Sequence, residues 1–310
     1  MTWTVDNIPD QTNRVALVTG ANSGLGYETS LALAQKGASV VMACRNMDKG
    51  EAAKNSVLEH APDAKVDLRT LDLSSLASVR EFAEGFKRDY DRLDVLMNNA
   101  GLMALPRRET ADGFEMQFGV NHVGHFALTG LLLDMLLATD NSRVVNVSSG
   151  AHKMYPQINF DDVMGEQEYK RWDAYGQSKF ANILFTKELQ RRFEAAGAKS
   201  MAVAAHPGLS TTNLQPTTAQ EGDASWLEQK FLTLLTPMLG QSPAAGALPQ
   251  LRAATAPDVQ GSQYYGPKWF GIRGAPVLEE PHKNTQDADM AGKLWEVSRD
   301  LTGVDYAALG

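Results

Sequence analysis

The chain has 310 residues, of which 43% are hydrophobic and 21% are charged, a composition typical of a soluble globular protein. Its formal net charge of −8 and pI of about 5.3 argue against nucleic acid or an anionic membrane surface as the main partner, because either would require a basic face. The single cysteine, Cys44, excludes an internal disulfide and any multi-cysteine metal site.

The beginning of the chain contains no recognisable targeting signal. Its first fourteen residues are polar and lack the apolar core of a signal peptide. No apolar run in the sequence approaches the roughly 20 residues that a membrane-spanning helix needs. We therefore expect a cytoplasmic protein without a membrane span.

Short β-branched runs alternate along the chain with segments of helical periodicity. The runs predict strands at 14–19, 38–43, 65–71, 93–98, 143–148 and 200–205. The intervening patterns predict helices near 25–36, 48–60, 75–89, 111–138 and 174–196. Strands that are apolar on both faces belong in a parallel sheet covered by helices. The sequence therefore predicts a single α/β domain with a Rossmann-type, doubly wound parallel sheet and a less regular tail after about residue 210.

The first predicted strand runs into the glycine-rich turn TGANSGLG, where Gly20, Gly24 and Gly26 open a helix. A backbone without side chains can turn sharply and approach a pyrophosphate, whose charge then meets free N–H groups at the helix N-terminus. The glycine spacing differs from the commoner dinucleotide fingerprint, so the motif alone is also consistent with an ordinary turn.

Three further strand ends carry polar or glycine-containing motifs. They are ACRN at 43–46, LDLSS at 71–75 and NNAG at 98–101. Asn98 and Asn99 are also ordinary turn formers. In open α/β sheets, however, ligands bind at the carboxyl ends of the strands. We expect these strand ends to form one crevice.

These motifs, followed by NHVGHF, VNVSS, YGQSK and HPG, occur in the order and approximate spacing of the short-chain dehydrogenase/reductase family. The resemblance covers roughly residues 14–214. Within that family the chain resembles the retinol-dehydrogenase-like, NADP-dependent branch, on the basis of ACRN, KFANILFTKEL and LWEVSRDLTG. Many animal members of that branch carry a membrane-anchoring N-terminal segment that this sequence lacks, so the resemblance does not by itself imply a retinoid substrate.

The YGQSK motif puts Tyr175 and Lys179 four residues apart, on one face of a helix. A carbonyl that accepts a hydride must also accept a proton, yet a phenol with a pKa near 10 is poorly matched to neutral pH. A neighbouring ammonium favours the phenolate and lowers the tyrosine pKa. By resemblance, Tyr175 is the general acid/base and Lys179 also hydrogen-bonds the nicotinamide ribose. The alternative is a chance pair on a solvated helix face.

Two further residues complete the catalytic set that the resemblance implies. The segment VNVSSGAH offers Ser148 and Ser149, and a hydroxyl at a strand end can hold a substrate oxygen as charge develops on it. By the family pattern the second serine, Ser149, is the catalytic one, and the insert 152–174 is part of the substrate mouth. By resemblance, the backbone or side chain of Asn121 holds a water that links Lys179 to solvent. The alternative is a solvent-facing asparagine.

Histidines 122 and 125 are the only other residues that suggest a metal site. No Asp, Glu or Cys stands at ligand spacing beside His122 or His125. We therefore expect both to be packing or pocket residues, and we expect no metal.

The end of the second predicted strand bears on the choice of cofactor. NAD-dependent enzymes commonly carry an acid there, and such an acid would repel a 2′-phosphate. Here the position is Cys44, followed by Arg45, whose guanidinium suits phosphate. We therefore expect NADP, although Arg45 could instead pair with a surface acid. Asp72 resembles the family's adenine contact and could instead cap the following helix.

The resemblance and the motifs together give a full set of cofactor-binding residues. Pro207, Gly208 and Thr212 resemble the loop that closes over the nicotinamide carboxamide. The complete set is Gly20, Asn22, Ser23, Gly24, Leu25, Gly26, Arg45, Asp72, Leu73, Asn99, Ala100, Gly101, Tyr175, Lys179, Pro207, Gly208 and Thr212.

The family comparison also divides the chain. It implies a dinucleotide-binding and catalytic core at 14–214, followed by a substrate lid and C-terminal extension at about 215–310. The segment 224–239 has apolar residues broadly at helical spacing, which fits a lid over a lipophilic substrate, a core helix, or a membrane or subunit contact. The helices at 111–138 and 174–196 are the family's usual pairing surfaces and imply a homodimer or homotetramer.

The sequence as a whole predicts an NADP-dependent oxidoreductase that interconverts a carbonyl and an alcohol on a lipophilic small molecule. One alternative is a catalytically silent, NADP-sensing regulatory protein, because fold alone does not fix function. Another is a relative of the light-driven pigment reductases. The set of Asn121, Ser149, Tyr175 and Lys179 favours the enzyme, because a sensor has no need of all four.

Overall fold

A computed structural model of the protein describes residues 2–210 and 240–310. Within these residues eight strands form one sheet in the order β3-β2-β1-β4-β5-β6-β7-β8. Neighbouring strands are parallel except at the β7–β8 edge, where they are antiparallel. The strands are β1 (Val15–Thr19), β2 (Ser39–Cys44), β3 (Val66–Thr70), β4 (Val95–Asn98), β5 (Arg143–Val147), β6 (Met201–Ala205), β7 (Tyr264–Trp269) and β8 (Arg273–Leu278).

Helices cover both faces of the sheet, and each face has its own hydrophobic core. One face carries α1 (Gly24–Gln35), α2 (Met47–His60) and α8 (Pro243–Thr255). The other carries α3 (Leu76–Asp89), α5 (Gly124–Leu131), α6 (Leu133–Ala138) and α7 (Arg171–Ala195). The short α4 (Met116–Phe118) precedes α5, and α9 (Ala288–Thr302) packs on α7. Strand order and layering confirm the predicted Rossmann-type sheet.

The six predicted strands and four of the five predicted helices are confirmed to within a few residues. The helix predicted over 111–138 is instead divided into α4, a π-helical turn at Gly119–Val123, α5 and α6. Residues 240–310 contain two strands and two helices where the sequence predicted only a less regular tail. The strands β7 and β8 were missed because each contains Gly and Pro, which are depleted in strands and tolerated mainly near a sheet edge.

Helix α9 covers part of the helical layer through Trp295. The Trp295 ring lies 5.2 Å from that of Phe126 on α5 and 4.5 Å from that of Tyr306, measured between centroids. The Arg192 guanidinium of α7 lies over the same indole at 4.3 Å. Part of the surface predicted to pair with a second copy is therefore covered by the chain's own C-terminal helix.

Across 2–210 and 240–310, no helix combines the length and the apolar character that crossing a bilayer would require.

A buried carboxylate ties the strands together at the amino edge of the sheet. Asp94 is 2% exposed and accepts hydrogen bonds from the backbone N–H of Val15 at 2.9 Å and from both Nε and Nη2 of Arg92, at 2.8 and 2.7 Å. Its backbone pairs with Val15 of β1 and Arg143 of β5. Burial alone would raise the pKa of Asp94, but the hydrogen bonds from Arg92 and Val15 outweigh it and hold the pKa below its ordinary value of 3.8.

We expect Asp94→Asn to destabilise the fold by about 2 kcal/mol at neutral pH, because a partly buried ion pair loses its negative partner. Because the pKa of Asp94 is lower in the folded protein than in the unfolded chain, the carboxylate stabilises the fold at pH values above the unfolded-state pKa. This contribution is lost as the pH falls through the folded-state pKa. The stability gap between wild type and variant should therefore persist down to about pH 4 and close at lower pH. Urea unfolding across this pH range measures the gap, with the exposed neighbour Asp91→Asn as control. A gap that does not depend on pH would contradict the ion-pair interpretation.

Candidate active site

A cavity of about 410 Å³ opens at the carboxyl edge of the sheet. The glycine-rich turn after β1 and the ends of β2, β3 and β4 line it, so the predicted crevice is formed by the strand ends that the sequence indicated. The predicted cofactor residues among its lining are Gly20, Asn22, Ser23, Gly24, Leu25, Gly26, Arg45, Asp72, Leu73, Asn99, Ala100 and Gly101.

The glycine-rich turn and the end of β4 are bound to each other. Asn99 donates its side-chain N–H to the carbonyl of Thr19 at 2.8 Å. The Thr19 hydroxyl oxygen accepts the backbone N–H groups of Asn99 and Ala100, both at 3.0 Å. A Cβ atom at Gly26 would lie 2.7 Å from the Asn99 amide nitrogen, so only glycine allows this close approach. The start of α1 is thereby held at the cavity, which its first residues line.

The end of β2 contributes a neutral thiol followed by cations. Cys44 is buried, and the backbone N–H groups of Ala21 and Asn22 lie near its sulfur. Burial raises the pKa of this thiol to about 11, so it carries no charge at neutral pH. Arg45 and Lys49 are exposed at the cavity, and no ion pair joins Arg45 to an acid within the described part of the chain. Sequence reasoning missed Lys49, although its position one helical turn after Arg45 was available as a signal.

Asp72 lines the cavity and is not the cap of α3. Its carboxylate accepts the Ser74 backbone N–H at 2.9 Å and the Ser74 hydroxyl at 2.6 Å. Ser75 caps α3 instead, because its hydroxyl accepts the N–H of Ser78. The helix-cap alternative for Asp72 is therefore wrong.

The predicted catalytic residues meet where β5 ends against α7. The Tyr175 side chain lies close to that of Ser149, close enough for the serine to favour the phenolate. The Lys179 Nζ atom lies 6.0 Å from the centroid of the Tyr175 ring and donates to the carbonyl of Val147 at 3.1 Å. Ser148 turns away and donates to the carbonyl of Lys179 at 2.7 Å. Of the two candidate serines, Ser149 is thus the one in contact with Tyr175.

Burial governs the charge of both α7 groups. It lowers the pKa of Lys179 from 10.5 to about 8. It raises the pKa of Tyr175, and the nearby Ser149 side chain only partly offsets this rise. The expectation that the Lys179 ammonium lowers the Tyr175 pKa is therefore wrong, because burial raises that pKa and the lowering contribution comes from Ser149.

Asn121 lies in the π-helical turn and is completely buried, so the solvent-facing alternative is wrong. Its side-chain oxygen accepts the N–H of Leu102 at 2.7 Å, and its amide nitrogen donates to the Leu102 carbonyl and the Ser178 hydroxyl, each at 2.9 Å. A side chain so engaged fixes the loop after β4 against α7. The backbone carbonyl, which the Nδ1 atom of His125 approaches at 3.1 Å, is the group better suited to hold a water.

The two histidines beside Asn121 are buried packing residues. His122 contacts the Ser298 hydroxyl at 2.7 Å, and His125 contacts the Thr19 hydroxyl at 2.8 Å. Burial lowers the pKa of each to about 3, so both are neutral at physiological pH. Within the described residues, no group of three or more His, Cys, Asp and Glu side chains could hold a metal ion.

The remaining predicted residues lie after β6 and in the insert after β5. Pro207 and Gly208 follow β6 on the same edge of the sheet as Ser149. In the insert, Trp172 packs edge-on against Tyr175, with ring centroids 6.1 Å apart. Thr212 and the candidate lid at 224–239 lie outside the residues that the structure describes.

Comparison with known proteins gives consistent matches. Residues 14–222 match the family model described as short chain dehydrogenase. Retinol dehydrogenase 13 of Homo sapiens is 42% identical over 296 residues, which cover 94% of this chain and 85% of that protein. Retinol dehydrogenase 14 of Mus musculus is 39% identical over 301 residues, with 94% and 86% covered.

Solved structures match over the same fold. The crystal structure of an uncharacterized protein from Mycobacterium paratuberculosis is 41% identical with a TM-score of 0.80, and the alignment covers 99% of both chains. A short chain dehydrogenase from Escherichia coli CFT073, solved in complex with NADPH, is 26% identical with a TM-score of 0.55. That alignment covers 69% of this chain and 85% of the other. With its motifs, sheet and relatives in agreement, the chain belongs to the short chain dehydrogenase family and is an NAD(P)-dependent oxidoreductase of alcohol and carbonyl groups.

Proposed function

We propose that this protein interconverts a carbonyl and an alcohol on a lipophilic small molecule, using NADP(H), with Tyr175 as the general acid/base. The proposal is carried by the burial of Tyr175 and Lys179 side by side on α7, with Ser149 next to Tyr175. Two hydroxyls and an ammonium lie together at the carboxyl edge of the sheet, beside a glycine-lined cavity. Carbonyl reduction requires such groups, to hold and protonate the substrate oxygen, whereas a purely structural contact does not.

The cavity supports dinucleotide binding by its size and by the chemistry of its lining. The N-terminus of α1 and the glycine-rich turn suit a pyrophosphate, whose charge backbone N–H groups can neutralise. Asp72 and Leu73 would contact the adenine, and Asn99, Ala100 and Gly101 the ribose closer to the reaction centre. When bound, the nicotinamide would supply or accept the hydride.

In reduction, Ser149 would hold the substrate carbonyl oxygen while Tyr175 donates its proton to that oxygen. Because Ser149 lies next to Tyr175, both hydroxyls could reach the same substrate oxygen, which would lower the entropic cost of the transfer. The Lys179 ammonium would stabilise the phenolate left behind and would bind the nicotinamide ribose hydroxyls. Protons would return to Tyr175 by way of Lys179 and a water on the backbone carbonyl of Asn121.

Preference for NADP(H) over NAD(H) is supported by the cations after β2. Arg45 and Lys49 both border the cavity, and Cys44, neutral at physiological pH, stands where a carboxylate would repel a 2′-phosphate. The complex of the Escherichia coli relative with NADPH supports the same cofactor.

The lipophilic character of the substrate is supported by the names of the retinol dehydrogenase relatives and by apolar residues of the insert 152–174. Trp172 packs on the Tyr175 ring, and Met154, in the same insert, is 63% exposed. A cytoplasmic location and a homodimer or homotetramer stay predictions, as does the division of the chain near residue 214.

A catalytically silent sensor or a pigment reductase receives no specific support from the described residues. A sensor would need the dinucleotide cavity but would gain nothing from burying Lys179 at a lowered pKa of about 8 beside Tyr175. Strongly perturbed groups of this kind concentrate at catalytic sites.

We expect Tyr175→Phe to lower kcat for aldehyde reduction by about a hundredfold or more, because general acid catalysis is lost while ring packing is kept. Absorbance loss of NADPH with a panel of apolar aldehydes and ketones measures the rate. NADPH affinity should change by less than about threefold. A variant with wild-type kcat on every substrate that the wild type reduces would contradict the role of Tyr175.

Arg45→Ala should weaken NADPH binding by about tenfold to a hundredfold and leave NADH binding almost unchanged, because only NADPH carries the 2′-phosphate. Fluorescence titration with both cofactors gives the two dissociation constants. The control is Arg88→Ala, which removes the same charge from a side chain that is 76% exposed on α3. Equal losses for NADPH and NADH would show that Arg45 does not read the phosphate.

Lys179→Met should abolish most activity and yet stabilise the cofactor-free fold at pH 7. The shift of the Lys179 pKa from 10.5 to about 8 means that burying the ammonium costs roughly 3 kcal/mol, partly offset by the hydrogen bond to Val147. Between pH 8 and 10.5 the unfolded lysine holds a proton that the folded one has lost, so wild-type stability rises relative to the variant.

Chemical unfolding of wild type and Lys179→Met from pH 7 to pH 10 tests this prediction. We expect the variant's advantage, about 2 kcal/mol at pH 7, to shrink steadily above pH 8. Lys199→Met, at an exposed position, serves as the control. A variant less stable than wild type at every pH would show that burial of the Lys179 ammonium is not costly.

A further inference from the structure

Two residues from opposite sides of β7 meet above it at the carboxyl edge of the sheet. His206 follows β6, and its backbone N–H pairs with the carbonyl of Tyr265 in β7. Glu279 follows β8, and its backbone N–H pairs with the carbonyl of Tyr264. Their side chains nevertheless reach each other, with His206 Nε2 at 3.1 Å from Glu279 Oε2.

This contact is possible only because a glycine occupies the strand between the two residues. Neighbouring strands lie nearly 5 Å apart, so the two chains that flank β7 are separated by roughly twice that distance. Gly266 of β7 lies directly beneath the pair. A Cβ atom there would overlap His206 Nε2 and would lie 2.5 Å from Glu279 Oε1. The pair therefore exists because β7 carries glycine at this position, the same residue that makes β7 hard to recognise as a strand.

The His206 ring is fixed at both nitrogens. The backbone N–H of Gly208 donates to Nδ1 at 3.3 Å, so Nδ1 is the acceptor and Nε2 carries the proton that Glu279 accepts. The side chain of His206 is 3% exposed and that of Glu279 17%. Burial alone would raise the pKa of Glu279, but its contact with His206 holds that pKa below its ordinary value. The Glu279 carboxylate thus fixes the His206 ring, and the His206 ring accepts the backbone N–H of Gly208.

The loop held in this way is the one that follows β6. Further backbone and amide contacts hold the same loop: Leu209 donates to the carbonyl of Ile272 at 2.9 Å, and the Gln241 side chain donates to the carbonyl of Pro207 at 2.8 Å. The His206 contact differs from these two because the ring that receives the Gly208 N–H is itself held by a carboxylate, Glu279.

The pair also abuts the support of the catalytic serine. His206 stacks on Tyr264, with centroids 5.1 Å apart and planes at 19°. The Tyr264 hydroxyl lies 3.4 Å from His152 Nδ1, and that nitrogen contacts the carbonyl of Ser149 at 2.6 Å. The backbone N–H of His282 donates to the other nitrogen of His152 at 3.2 Å, so Nδ1 is the donor to Ser149. Residues just after β8 therefore support both Ser149 and the loop after β6.

We propose that Glu279 is a positioning residue: acting through His206, it holds the loop at Pro207–Ser210 in the conformation that receives the nicotinamide half of the dinucleotide. The inference rests on the proposed NADP(H) function. According to this inference, the β7–β8 edge, which lies outside the 410 Å³ cavity, helps to bind the nicotinamide half of the cofactor. It does not affect binding of the adenosine half.

The test compares two ligands that differ only in the nicotinamide. Calorimetric titration of NADPH and of 2′-phosphoadenosine diphosphoribose, which lacks that ring, is carried out on wild type, Glu279→Ala, Gly266→Ala and Glu279→Gln. Glu280→Ala, which removes an exposed carboxylate one residue away, is the control. Unfolding midpoints are measured for every variant, and kcat and KM for the same set.

We expect Glu279→Ala and Gly266→Ala to weaken NADPH binding by about tenfold, because a charge-assisted hydrogen bond is lost, while the ring-free ligand binds within about twofold of wild type. Glu279→Gln should restore most of the affinity, since its amide oxygen can still accept from His206 Nε2. KM for NADPH should rise with the dissociation constant, and Glu280→Ala should resemble wild type.

Two results would overturn the inference alone: NADPH affinity unchanged in Glu279→Ala, or both ligands weakened by the same factor, as a general loss of structure would produce. If the proposed NADP(H) function is wrong, wild-type protein will bind neither ligand. This result differs from the two above, and it would overturn the inference together with the function.

Discussion

Burial of the central strands on both faces restricts where this protein can do polar chemistry. Every residue of β1 and β5 is buried, and separate hydrophobic cores lie on the two sides of the sheet. Polar side chains within the strands, such as Asn98 and Asn146, are buried and bonded to each other, so groups free to meet a ligand lie where the strands end. Asn99, Ser149 and His206 each stand just past the end of a strand, at the same edge. The location of the site thus follows from the pattern of apolar residues that builds the sheet.

The same burial shapes the electrostatics of the site. Lys179 and Tyr175 are both removed from solvent. The pKa of Lys179 is therefore lowered and that of Tyr175 raised, and each shift favours the neutral form of the side chain. In such surroundings a neighbouring charge has more effect than it would in water, so a small change near the pair can move a proton. A buried Lys179 ammonium makes the fold less stable than an apolar side chain at that position would. Such a loss of stability is common where activity and stability compete.

Local patterns in the sequence were enough to predict the central sheet and the Tyr175–Lys179 pair, because strand hydrophobicity and helical spacing are both encoded by near neighbours. The π-helical turn around Asn121 was not predicted, since an apolar helix with one changed hydrogen bond keeps the same periodicity. Gly266 and Glu279 were missed for a different reason. Their contacts with His206 span about sixty to seventy residues, and Gly and Pro in β7 conceal the strand that brings them together.

The proposed reaction is the transfer of a hydride between NADPH and a carbonyl carbon, with Tyr175 supplying the proton. The most direct measurement uses NADPH deuterated at the transferable position of the nicotinamide, mixed with the protein and an apolar aldehyde, with the product analysed by mass spectrometry. We expect an alcohol with one deuterium on the carbinol carbon, formed at least about a hundredfold more slowly with Tyr175→Phe. Bound NADPH without deuterium transfer to any aldehyde or ketone would contradict it.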